Sequence, residues 1–294
     1  MGLLIACVIG GYSLYDIPDE RKKYETKIIL IFKREDLMRC HNLSYKIHGD
    51  DLQFVSIGLN RGETVIAEAG SLMFMSESVQ LDTHLSDGSD PNAGFWGNLW
   101  NAGKRALTGE SFFLTHYTGI GNSQGQVAFS GPYPGKIIPL NLATYRSPIL
   151  CQRGGFLAAA YGTKIDIAFT RNLGSGFLGG EGFILQRLTG DGMAFVHSCG
   201  KIVEIPLNNQ TIRINPGCIV AFEESIHYDI VAAGNIKTML FGAKSIFFAT
   251  LSGTGRVWLQ SLPFNLLANR ICEEGIKQGL FANKSEGGHW GTFN

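Results

Sequence analysis

Three aspartates recur at one place in a repeated pattern. Asp82, Asp166 and Asp229 each stand twelve residues after a glycine (Gly70, Gly154, Gly217) that opens an apolar run. Three carboxylates near one axis could hold a hard cation through oxygen, so these are the chain's weak metal candidates. The competing reading puts each on the solvent side or end of its own strand, because aspartate is rarely buried unless paired; that is the reading we favour. Gly121-Asn-Ser123-Gln-Gly125 has the spacing of a nucleophile elbow. An elbow needs a strand–turn–helix setting, whereas strand pattern lies on both sides here, so Ser123 is expected in a turn. Gly119-Ile-Gly121 has no helix after it and is no dinucleotide loop. The seven histidines include no His-x-His, and none repeats at equivalent positions, which argues against a cupin-type metal oxygenase. The six cysteines form no Cys-x-x-Cys and no zinc pattern. Several sit in apolar runs, as in Cys218-Ile-Val-Ala-Phe, and are expected to be buried free thiols in a reducing compartment. No catalytic residue and no cofactor is assigned on these grounds.

Composition narrows the partners. The chain has 25 basic and 25 acidic residues, and its formal net charge is zero. Lys and Arg are scattered with no recurring basic–aromatic strip, which argues against nucleic acid as a partner. The best contact surface is Phe95, Trp96, Leu99 and Trp100, followed by Lys104 and Arg105. Their spacing over 93–107 predicts an amphipathic helix. That helix suits closure of an open end of the body, an oligomer contact rich in aromatics, or a membrane surface.

The elements that must carry these residues read as strands. With 38 glycines, 19 phenylalanines, 45% hydrophobic and 17% charged residues, the chain favours an all-β fold with many turns. Self-similarity organises it. Gly154 and Gly217 are 63 residues apart, and the same offset carries Asp166 to Asp229, Gly190 to Gly253 and Gly192 to Gly255. A first copy follows the same order, with thirteen extra residues between Asp82 and Glu110 and four more after Gly121. Val79-Gln-Leu-Asp and Ile226-His-Tyr-Asp-Ile alternate as half-buried strands. Ser111–Tyr117 and its relatives are more continuously apolar and are expected to be covered on both faces. Gly190-Asp-Gly192 and Gly253-Thr-Gly255 are expected to be tight hairpin turns using positive φ. Pro132-Tyr-Pro134-Gly135 reads as a stiff connector. Residues 262–280 predict an amphipathic terminal helix.

Each unit is too small to fold alone. We expect one compact body of three pseudo-threefold copies (about 43–133, 134–199 and 200–263). A 1–42 appendage, with Met38 as an alternative start, precedes it, and a 264–294 helix and tail follows.

Gly109-Glu-Ser-Phe-Phe-Leu, Ser130-Gly-Pro-Tyr-Pro-Gly135, Gly179-Gly-Glu-Gly-Phe and Gly255-Arg-Val-Trp-Leu-Gln-Ser resemble the family of altered inheritance of mitochondria protein 24, over about residues 43–263. The resemblance implies a TRAP-like fold, a short double-stranded β-helix, and assembly as a homotrimer or ring. It implies no catalytic residues. Fungal members are associated with mitochondrial inner-membrane organisation. The first twenty residues here lack the Arg-rich, acid-poor character of a transit peptide, so the expected location is cytoplasmic, with a mitochondrial one the alternative for a eukaryotic chain. The expected function is a non-enzymatic homo-oligomeric β-scaffold, its partner itself, a membrane surface or another protein. The alternatives are a small-molecule or metal-binding β-helix protein, and an RNA-binding ring.

Overall fold

A computed structural model describes residues 40–84, 114–171, 183–233 and 246–279. The chain divides into two units, Met1–Met38 and Arg39–Asn294, and the described residues all belong to the second. Phe95–Trp100 and the helix expected over 93–107 lie outside the described residues.

Short alternating segments become short strands. The first are β1 (Ser44–His48), β2 (Phe54–Leu59), β3 (Thr64–Glu68), β4 (Leu72–Met75), β5 (Val79–His84), β6 (Leu114–Gly119) and β7 (Gly125–Ser130). Then come β8 (Gly135–Asn141), β9 (Ile149–Gln152), β10 (Phe156–Ala160), β11 (Lys164–Arg171), β12 (Phe183–Thr189) and β13 (Met193–Cys199). The last are β14 (Ile202–Ile214), β15 (Ile219–Glu223), β16 (His227–Ala233) and β17 (Ile246–Gln260), followed by helix α1 (Phe264–Lys277). The fold is all-β apart from α1 and single 3-10 turns, among the described residues.

The strands form three antiparallel sheets. The first runs β1-β2-β7-β4, the second β5-β6-β3-β10-β13-β8 and the third β11-β12-β9-β15-β17-β14, with β16 added against β17. Buried residues fall in three clusters. Phe129, Phe195 and Phe222 are their largest fully enclosed side chains. Leu114–Tyr117 of β6 are buried on both faces, as the continuous apolar run predicts. In β5, Val79 points inward while Gln80 is exposed.

The glycine pairs behave differently from the expectation of hairpins. Gly190-Asp-Gly192 joins β12, in the third sheet, to β13, in the second. A Cβ at Gly192 would lie 2.6 Å from Cys40 Cβ, and one at Gly190 would lie 3.0 Å from Cys40 Sγ. Close approach of the incoming N-terminal segment, and not positive φ, is the reason for glycine there. Gly253 and Gly255 do have positive φ (125° and 156°), but β17 passes through them without turning. They face the register shift between Leu207 and Gln210 of β14. Gly121–Ser123 likewise links β6 to β7 in another sheet. Ser123 is exposed, with strands on either side, so it lacks the elbow's setting.

The terminal helix forms as predicted, over Phe264–Lys277, but it lies open. Phe264, Leu266, Ile271 and Ile276 are all exposed, and among the helix residues only Gly275 is buried.

Candidate functional site: a cavity built on His197 and Tyr133

The loop between β7 and β8 is Gly131-Pro-Tyr-Pro134. Its two prolines restrict the backbone, and the glycines at 131 and 135 leave room for a partner. That partner is His197 of β13. A Cβ at Gly131 would sit 2.3 Å from the imidazole Nδ1, Cε1 and Nε2 atoms. One at Gly135 would sit 1.8 Å from the Ser198 carbonyl oxygen. The motif is therefore shaped by close approach to β13.

Tyr133 packs its ring 4.7 Å from the His197 imidazole and 4.8 Å from Phe264 of α1, nearly parallel to the latter. Its hydroxyl donates to the Gly154 carbonyl at 3.3 Å. These groups line a cavity of about 630 Å³, together with Glu68, Ser71, Arg153 and Asn265. Its apolar lining includes Phe156, Leu157, Ile184 and Val220. The volume is in the range of small-ligand sites. A second hollow of about 410 Å³ shares Tyr133 and reaches Met73.

Burial sets the charge states. His197 is 2% exposed and its Nδ1 has no hydrogen-bond partner. Loss of hydration drives its pKa down to about 4, against a smaller opposing hydrogen bond to the Tyr133 backbone. Burial likewise pushes the Tyr133 phenol up to about 12, helped by Cys199 and Glu68. The imidazole is thus neutral and the phenol protonated at neutral pH. Glu68 reaches water at the rim but is ringed by protein. That enclosure raises its carboxyl pKa, and the Arg153 guanidinium opposes the rise. Gln260 ties the floor together, accepting from Cys199 N–H at 2.9 Å and donating to Gly217 C=O at 2.8 Å.

The aspartates are placed apart from this cavity. Asp82 of β5 accepts from Gln80 at 3.2 Å. Asp166 of β11 pairs with Lys164 at 2.8 Å. Asp229 of β16 is exposed and caps the Ile230 N–H at 2.8 Å. Among the described residues no three His, Cys, Asp or Glu side chains gather as a metal group. Cys40, Cys151 and Cys199 are buried free thiols, but Cys272 on α1 is exposed. The cavity residues were missed because none forms a catalytic spacing, and the repeat glycines among them, Gly70 and Gly154, read only as openers of apolar runs. The only sequence signal was the Gly-Pro-Tyr-Pro-Gly frame itself.

The second feature is an open edge. Among the described residues β4 is paired on one side only, to β7. Its Leu72, Met73, Phe74 and Met75 are 36%, 53%, 42% and 40% exposed. Among the described residues the end of β14, Gln210–Ile214, is paired only with β17.

A family model described as mitochondrial biogenesis AIM24 matches residues 45–262. An uncharacterized protein of Streptococcus pyogenes serotype M6 is 26% identical over 218 residues, covering 74% of this chain and 84% of that protein. The crystal structure of another Streptococcus pyogenes protein superposes with a TM-score of 0.63 at 24% identity, covering 79% of this chain and 100% of that one. That likeness bears on fold alone.

Proposed function

This chain belongs to the mitochondrial biogenesis AIM24 family, and from that premise we propose that it is a non-enzymatic, homo-oligomeric β-scaffold that assembles through its sheet edges. The observation that carries this reading is β4, four consecutive apolar residues, all exposed, on a strand with one neighbour among the described residues. Such an edge is a template for another strand unless it is charged, bulged or covered.

The finer architecture we propose is three copies of one TRAP-like, short double-stranded β-helix unit. The recurrence of one pairing scheme supports it. β7 lies between β2 and β4, β13 between β8 and β10, and the end of β17 between the start of β14 and β15. β6 lies between β5 and β3, β12 between β11 and β9, and the start of β17 between β16 and the end of β14. Gly70 and Gly154 both adopt positive φ (88° and 78°) with open space around a Cβ, as matching turns would.

The same scheme names the occupant of the open edge. β10 pairs with β3, and β15 pairs with β9. By that rule β4 takes the end of a β14, and the end of β14 takes a β4. Pairing β4 of one chain with β14 of the next is a head-to-tail contact, which closes into a ring when the rotation allows; a trimer is the smallest such ring we expect. Light scattering at micromolar concentration tests this. Wild type should have the mass of a trimer or larger ring. Met73→Lys should fall to a single chain with unchanged circular dichroism, because Met73 lies in the register shift with β7 and its substitution spares the internal ladder. A wild-type monomer would overturn the proposal.

A further inference from the structure

We propose that the cavity beneath Tyr133 binds a small organic carboxylate with an apolar body. The floor of the cavity is apolar: Phe156, Leu157, Ile184 and Val220. Phe264, stacked on Tyr133, forms one wall. A purely polar ligand would leave that surface wet, and a fully apolar one would desolvate the polar rim without return.

The rim favours an anion. Arg153 lines the cavity from the β9–β10 turn, and its guanidinium is charged at every working pH and matches a carboxylate's two oxygens. Helix α1 starts in the same cavity with Phe264 and Asn265. Its cap position is Pro263, and no side chain caps it. The first hydrogen bonds of the helix are those of Leu266 and Leu267 to the Pro263 carbonyl. The N–H groups of Phe264 and Asn265 are therefore outside the helix ladder, at its positive end. His197 is the most deeply buried polar side chain of the lining. Its ring lines the cavity, it is 98% enclosed and its Nδ1 is unpartnered. A buried polar atom left unsatisfied is uncommon in a folded protein. Glu68 is the one acidic group on the rim. It neighbours Arg153, whose guanidinium opposes the rise that enclosure gives its carboxyl pKa.

Calorimetric titration of the full chain with sodium octanoate and with sodium benzoate tests the site, with octanol and benzyl alcohol as neutral comparators. Saturable binding of at least one carboxylate is expected. Arg153→Gln should weaken it by about tenfold or more, the loss of a charge-assisted hydrogen bond. Ala69→Trp should abolish it by filling the cavity. Both positions are exposed, so both variants should keep the wild-type melting temperature. Arg270→Gln, an exposed cation elsewhere on α1, should bind as wild type does. No saturable binding, comparators that bind as tightly as the carboxylates, or affinities unchanged in Arg153→Gln and Ala69→Trp would each overturn the proposal. The outcome is independent of oligomeric mass, which light scattering reads separately.

Discussion

Lowering the pH from 7 to 5 should withdraw stability through His197 in particular. The folded protein holds this imidazole at a pKa of about 4 against an ordinary 6.5, because the ring is buried. The folded value is the lower one, so the unfolded chain takes up the proton first. The contribution is complete above about pH 6.5 and is lost as the pH falls through that value towards 4. Between pH 7 and 5 the difference amounts to about 2 kcal/mol from this one group. His41 is also shifted down by burial, so wild type alone would mix the two. The measurement is therefore a pair of urea-unfolding series, wild type and His197→Gln, at several pH values. His197→Gln should be less stable at pH 7 but should lose about 2 kcal/mol less on acidification. Parallel curves for the two proteins would refute the reasoning. Proton NMR of the His197 ring gives a second reading that needs no variant. Its Cε1–H signal should stay in the neutral position down to about pH 5, and a midpoint near 6.5 would refute it equally.

Other outcomes follow from packing. Gly131→Ala should cost about 2–3 kcal/mol, since its methyl would meet the imidazole at 2.3 Å and the ring has to move; the urea midpoint reads this. Gln260→Ala leaves the Cys199 N–H and the Gly217 C=O without their side-chain partner, at a cost of about 2–4 kcal/mol in the same assay. Among the described cysteines, alkylation with peptide mapping should label Cys272 first. Cys151 should stay unlabelled until the protein unfolds, because it is fully buried and its thiol pKa is pushed up to about 12.

Local pattern carried the fold class. Alternation in Val79–Asp82, the continuous apolar run at Leu114 and the 264–277 helix are each written within a few residues, so each was legible before any contact was known. The family was legible for a related reason, since its motifs are short and ordered along the chain. Other properties belong to pairs of residues far apart. Gly190 and Gly192 are small because Cys40 arrives against them from 150 residues away, and nothing nearby announces it. His197 looks like any histidine in a strand until Gly131 and Tyr133 close over it and remove its water. β4 reads as an ordinary apolar strand, and only the sheet order among the described residues leaves one of its edges bare. Periodicity determines which residues face inward. Enclosure, charge state and an unpaired edge depend on what comes to stand opposite, and that the tertiary structure alone decides.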